Sequence, residues 1–308
     1  MKTPDLADIV AAAQRLSGHT HRTPVMTSAS LNEAVEAELF FKCENFQRTG
    51  SFKLRGAMNA TLQLSQDVSM VVTHSSGNHG AALALAAKEC GKRAMVVVPK
   101  DARPEKRLAI ERLGAEVVDC GEELEDRETV LAEVMASEPE AVFVPPYDHA
   151  EIIAGQGTAA LELVEEVGDL DQLWVPIGGG GLAAGTTIVA NGQIDVICAE
   201  PELARDAHDS LAMGDLQPAM PPHTVADGLR TALGKLNFEI LRQNRIAVVL
   251  VDEEAILRAM ALIWNRLKIV VEPSAAVCLA AMLLDPRRVA KRAGIILSGG
   301  NISPPGPH

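Results

Sequence analysis

Hydrophobic and polar positions follow two rhythms along this chain. Near the start, Leu6, Ile9, Val10 and Ala13 recur at helical spacing, and Thr3 and Pro4 stand where a cap and a first helical residue belong. The spacing predicts an opening helix. Further on, short β-branched runs appear at residues 70–73, 94–98, 116–118 and 141–144, separated by stretches rich in Ala, Leu and Glu. That alternation predicts βαβα units and a parallel sheet. A second series, at residues 173–177, 196–199, 247–251 and 295–297, predicts a second sheet. Pro145 and Pro146 mark a crossover between the two units, and residues 215–222 read as a loop.

Composition narrows the choice of fold and partner. The chain has 308 residues, enough for one large domain or two modest ones. Aromatics are only 3%, so the core is expected to be built from Ala, Val, Leu and Ile, which suits α/β layers better than an aromatic-rich sandwich. A net charge of −13 repels phosphate backbones and anionic membrane surfaces, so no nucleic-acid or membrane partner is expected. No run approaches the roughly 20 apolar residues of a spanning helix, and no secretory leader is visible at the start. The five cysteines include no CxxC pair, which fits reduced thiols and a cytoplasmic location.

Four segments carry chemistry. In the first, Lys53 stands beside Gly50, Ser51 and Gly56 between a loop and a helix. Such an amine can approach a bound aldehyde if desolvation or a neighbouring cation favours its neutral form. The second, His74 to Gly80, joins a strand to an Ala-rich helix; its two hydroxyls, amide and two imidazoles exceed what capping needs. The free amides and dipole of that helix end suit a carboxylate or phosphate. In the third, Gly178, Gly179, Gly180 and Gly181 follow a strand, and four consecutive glycines leave the backbone free to wrap an oxyanion. Neither the lysine of GxxxxGK[ST] nor the GxGxxG pattern is present, so a nucleotide is the weaker guest. The fourth ends a strand with Ser298, Gly299 and Gly300, where a hydroxyl can meet a heterocyclic nitrogen.

Taken in order, GSFKLRGA, SSGNHG, IAGQGT at 153–158, the tetraglycine loop, VEPSA at 271–275 and SGGN at 298–301 resemble the fold-type II pyridoxal-phosphate enzymes, in their serine/threonine dehydratase and serine racemase branch. The resemblance spans nearly the whole chain. It implies a tryptophan synthase β-like α/β fold of two domains, each with a mainly parallel sheet flanked by helices. The large cofactor-binding domain would comprise residues 1–69 and 148–308, and the small substrate-closing domain residues 70–147. It further implies that Lys53 forms the Schiff base with pyridoxal 5'-phosphate and takes the Cα proton, and that Phe52 packs near the ring. Asn78 would bond the 3′-oxygen, Gly178 to Gly181 would cradle the phosphate, and Ser298 would meet the pyridine nitrogen. A serine there does not enforce a protonated ring, which favours β-elimination over transamination.

The same resemblance places the substrate carboxylate against Ser75, Ser76, Asn78 and His79, with Ser76 able to return a proton on the opposite face. The implied activity removes water and ammonia from L-threonine or L-serine. The alternatives are a serine racemase with side dehydration, an L-threo-3-hydroxyaspartate dehydratase and, outside the enzymes, a protein that merely holds a phosphorylated ligand. Residues 146–148, Pro-Tyr-Asp, resemble the PFD-like stretch of dehydratases more than the PNQ-like one of animal racemases. Arg127 stands where racemase and hydroxyaspartate dehydratase relatives carry an arginine; it would pair a second carboxylate, or else serve as an i, i+4 partner on a charged helix face. Glu200, the Ala204 carbonyl and Asp206 match the family's cation site, and oxygen-only ligation suits Mg²⁺ or Ca²⁺; the alternative is an acidic surface turn. A homodimer is also implied.

Overall fold

The computed structural model describes residues 2–75, 77–100, 102, 104–121, 124–221 and 223–302. In chain order the strands are β1 (Val25–Met26), β2 (Glu38–Cys43), β3 (Met70–His74), β4 (Arg93–Pro99), β5 (Glu116–Cys120), β6 (Val142–Phe143), β7 (Gln172–Pro176), β8 (Asp195–Pro201), β9 (Ala247–Val251) and β10 (Arg292–Leu297). Six of them form one sheet in the order β1-β2-β10-β7-β8-β9, and the other four form a second in the order β5-β4-β3-β6. All pairings are parallel except that of β1 with β2.

The helices are α1 (Leu6–Leu16), α2 (Ala29–Val35), α3 (Lys53–Leu62), α4 (Asn78–Glu89), α5 (Pro104–Arg112), α6 (Leu124–Ser137), α7 (Ala150–Val167), α8 (Gly181–Ala190), α9 (Asp206–Met213), α10 (Lys235–Gln243), α11 (Glu253–Leu267) and α12 (Pro273–Leu284). Helix α12 buries its Pro273–Met282 stretch among the residues of α11 and the six-stranded sheet. Parallel strands covered on both faces need apolar residues on both, and β7 is buried along its whole length.

Both predicted strand series are present, with ends moved by a few residues. The segment 141–144 shortens to β6, and β1 and β2 add strands that the β-branched pattern did not reveal. The opening helix is capped by Asp5 rather than Thr3: Asp5 accepts from Asp8 N at 3.1 Å, and Asp8 accepts from Asp5 N at 3.0 Å. This reciprocal pair satisfies two end amides at once, which a lone threonine ahead of Pro4 cannot do. The buried face of α1 is Ile9, Ala12 and Leu16, leaving Leu6 and Val10 at 38% and 41% exposure.

Helix α7 brings the two ends of the site together through close backbone approaches. A Cβ on Gly155 would lie 2.6 Å from the Arg55 carbonyl oxygen of α3, and one on Gly185 of α8 would lie 2.6 Å from Gly157 N. Glycine is required at both crossings, so the IAGQGT segment has a packing role beside any chemical one.

Candidate active site

Lys53 opens α3, and the loop before it is fastened to the end of β10. Ser51 bridges Gly299, Phe52 N donates to the Ser298 carbonyl at 3.0 Å, and Gly300 N donates to the Gly50 carbonyl at 2.9 Å. Gly50 holds φ +73° with Asn301 against it, a conformation that L side chains resist. The half-buried Lys53 ammonium donates to the Pro146 carbonyl at 2.8 Å. It lies 5.2 Å from the centre of the Phe52 ring and 5.9 Å from that of Tyr147. Desolvation pulls its pKa down to about 8, against the opposing pull of the Glu272 carboxylate. An unusual share of neutral amine is therefore present near neutral pH.

Tyr147 links this lysine to the glycine loop, because its ring fills the space where a Gly179 side chain would stand. The loop is held open by its surroundings. Gly178 packs against the Leu229 backbone, and Gly180 turns at φ +89° to start α8 without a side-chain cap. The Gly179 carbonyl accepts from buried Asn237 Nδ2 at 2.6 Å and from Gly234 N at 3.1 Å. Asp148 accepts from the Lys235 and Leu236 amides at 3.0 and 2.9 Å, fixing the start of α10, which carries Asn237. The donor-rich start of α8 suits a phosphate group, as the sequence predicts for Gly178 to Gly181.

At the end of β3, the α4 N-terminus likewise lacks a side-chain cap among the described residues. Ser75 Oγ accepts from Gly77 N at 3.3 Å, and Asn78 lies between Glu272, to which its amide donates at 2.8 Å, and Asn301, from which its Oδ1 accepts at 2.8 Å. Ser76 falls outside the described residues. His79 is buried with its Nε2 3.2 Å from the Val144 carbonyl oxygen; burial and the Lys53 charge bring its pKa to about 3, so it stays neutral. Its Nδ1 is buried with no hydrogen-bond partner among the described residues. Arg127 is half-buried on α6, and its charge helps burial depress the pKa of His74, which stacks on Phe143 with ring centres 5.7 Å apart. The arginine thus stands near the C-terminal end of β3.

Glu272 lies within VEPSA, and nothing in its local sequence points to a role. It is buried, and burial plus the Asp227 charge push it up to about 7. Asp148 and Asn301 likewise lie in motifs that gave them no role, and Asn237 lies in none. The Pro146-Tyr147-Asp148 stretch was the available signal for Asp148; Asn237 had none.

Glu200 and Asp206 are both buried, at 0% and 2% exposure, at the end of β8 and the start of α9. Glu200 accepts from the Ala207 and His208 amides at 3.0 and 2.8 Å, and Asp206 from Leu233 N at 2.9 Å. Burial pushes Glu200 up to about 9, with Asp206 adding to the shift, and pushes Asp206 up to about 6. The acidic surface turn is thus corrected to a buried carboxylate pair, and carboxylates crowded out of water suit a hard cation. Among the described residues there is no group of three or more acidic, His or Cys side chains that could hold a metal, so backbone oxygens such as that of Ala204 would have to complete the set. No helix among them is long and apolar enough to cross a membrane.

A family model described as pyridoxal-phosphate dependent enzyme matches residues 16–299. The serine racemase of Dictyostelium discoideum is 46% identical over 98% of this chain and 96% of its own length. The beta-hydroxyaspartate dehydratase of Paracoccus denitrificans (strain Pd 1222) is 43% identical over 98% of both chains. Among solved structures, the threonine deaminase of T.th. aligns with a TM-score of 0.93 at 40% identity, covering 98% of this chain and 100% of that one.

Proposed function

The chain belongs to the pyridoxal-phosphate dependent enzymes, and from that premise we propose that it acts on small hydroxy-amino acids as an ammonia-lyase, with Lys53 as the Schiff-base lysine. The observation that carries the reading is the Lys53 amine, partly neutral, set between the Phe52 and Tyr147 rings beside the glycine loop. When bound, the pyridoxal ring supplies the electron sink that makes an amino acid's Cα proton removable.

The residues divide the remaining work. Gly178, Gly179, Gly180 and Gly181 offer amides to the phosphate, Ser298 offers a hydroxyl to the ring nitrogen, and Phe52 and Asn78 border the ring. The α4 N-terminus, with Ser75, Asn78 and His79, receives the substrate carboxylate. Lys53 removes the Cα proton, and a proton returned by Ser76 would give racemisation. Residues 70–147 form the substrate-closing domain, and residues 1–69 with 148–308 the cofactor domain. Glu200, Ala204 and Asp206 hold Mg²⁺ or Ca²⁺. The protein works as a cytoplasmic homodimer, and its negative charge disfavours nucleic acid and membranes as partners.

A second reading, L-threo-3-hydroxyaspartate as substrate, is favoured by Arg127 beside His74, where a guanidinium can pair a side-chain carboxylate. Purified protein is to be given L-serine, L-threonine and L-threo-3-hydroxyaspartate, with keto acid and D-enantiomer measured. Negligible keto acid from all three overturns the ammonia-lyase reading, and D-serine in excess of keto acid makes racemisation the main activity. For the cation, chelation lowers the melting temperature: a site filled at 100 times its Kd stabilises by about 2.7 kcal/mol. An unchanged melt leaves the carboxylate pair without a metal role.

A further inference from the structure

The chain buries an unusual group of charges on the far side of α3 from the site. Arg55 is fully buried, and its guanidinium makes a fork to each of two carboxylates. It donates to Glu44 through Nε and Nη2, both at 2.8 Å, and to Glu162 through Nη1 at 2.7 Å and Nη2 at 2.9 Å. Nη1 also reaches Thr158 Oγ1 at 3.2 Å. Lys42, also at 0% exposure, pairs with Glu162 at 2.7 Å and donates to the Thr23 carbonyl at 2.7 Å. Thr23 Oγ1 donates to Glu44 at 2.5 Å. Two cations and two anions are thus closed on themselves, neutral in sum, between the end of β2, the first turn of α3 and the middle of α7.

Such a quartet is a poor stability device. Desolvating four charges offsets much of their attraction, and replacing buried ion pairs with packed apolar residues commonly leaves stability unchanged or raises it. Its distinguishing property is direction. A guanidinium bound by two forks has one orientation, which a hydrophobic contact does not impose. Arg55 lies two residues after Lys53, so the two side chains leave the helix about 200° apart. Pinning one therefore fixes the azimuth of the other. With Cα about 2.3 Å from the axis and a long side chain beyond it, a helix rotation of about 10° moves the Lys53 amine on the order of 1 Å. A misplacement of about 1 Å can lower the rate about 10²-fold.

We propose that Arg55 is a positioning residue for the reaction, acting through Glu44, Glu162 and Lys42 to hold the first turn of α3 at the rotation that aims Lys53 into the site. The proposal rests on the reading of Lys53 as the Schiff-base lysine. The test variant is Arg55→Met combined with Glu44→Leu, which removes one cation and one anion and leaves Lys42 paired with Glu162.

The expected result is a holoenzyme that melts at or above the wild-type temperature, with kcat down about 10²-fold and KM little changed. The pH midpoint of its visible cofactor band should be displaced, and borohydride should fix less cofactor to the Lys53 peptide. Arg55→Lys, which keeps the charge but loses the fork, should fall between the two. A folded double variant with wild-type kcat and an unmoved pH midpoint overturns the proposal. If the double variant does not fold, Arg55→Lys decides, and its wild-type kcat and midpoint would overturn it equally. Reduction of the wild type separates the two levels: no labelled Lys53 peptide there refutes the lysine assignment itself.

Discussion

The six-stranded and four-stranded halves of the molecule are built to different standards of rigidity. Around the six-stranded sheet, α8 and α12 are buried along most of their lengths, and polar groups are tied by direct bonds such as Asn237 to the Gly179 carbonyl. In the four-stranded half, α5 buries only Ile110 among the described residues, and α4 alone is deeply packed. Sparse apolar contact marks elements that move at little free-energy cost. All the groups proposed to hold the cofactor except Asn78 belong to the rigid half, while those proposed to meet the substrate, the α4 N-terminus and Arg127, belong to the four-stranded one. The cofactor needs one geometry for the enzyme's lifetime, whereas the substrate has to enter and leave at every turnover.

Lys53→Ala strikes the rigid half hardest. Loss of the base alone removes about 10²–10⁴-fold in turnover, and the visible cofactor absorbance should vanish; an unaltered spectrum would relocate the lysine's role. Arg127→Ala probes the other half. If its guanidinium pairs a second carboxylate, kcat/KM for 3-hydroxyaspartate falls about 10–100-fold while that for serine changes little, as expected for a lost charged hydrogen bond. Equal losses on both substrates would remove the selectivity.

The next effect is a displacement along the pH axis. Capture of added pyridoxal phosphate by apo-protein requires neutral Lys53, so its rate should climb as pH rises through about 8 and level off above. Since the Glu272 charge raises the lysine's pKa, Glu272→Gln should move that midpoint to lower pH; stopped-flow absorbance against pH is the measurement. Smallest is Lys106→Ala. Lys106 of α5 pairs with Asp227 across the two halves, and both side chains keep about a fifth of their exposure, at 21% and 24%. KM should change by at most about fivefold. A larger change would mean that this ion pair governs closure.

Much of the fold was legible because its signals are local. β-branched runs bounded by small-residue turns marked both sheets, and glycines after strands marked both anion-ready helix starts. β1 is only two residues long, and β2 begins among polar residues at Glu38 and carries its own buried Lys42, so neither presented a clean period. The polar groups around the site were the least legible. Asn78 meets Glu272 across 194 residues of sequence and Asn301 across 223, so no window on the chain contains both partners. Asp148 acts on amides 87 and 88 residues away, with the same result.

The glycine crossings on α7 carry one more consequence. At Gly155 and Gly185 no side chain intervenes, so α3, α7 and α8 touch there through their main chains, along the path from the lysine to the glycine loop. The three helices then behave as a caliper locked at one opening. Swinging of the four-stranded half would reshape the substrate's side of the cleft without altering that span, so an enlarged residue at 155 or 185 would loosen the grip on the cofactor before it disturbed substrate entry.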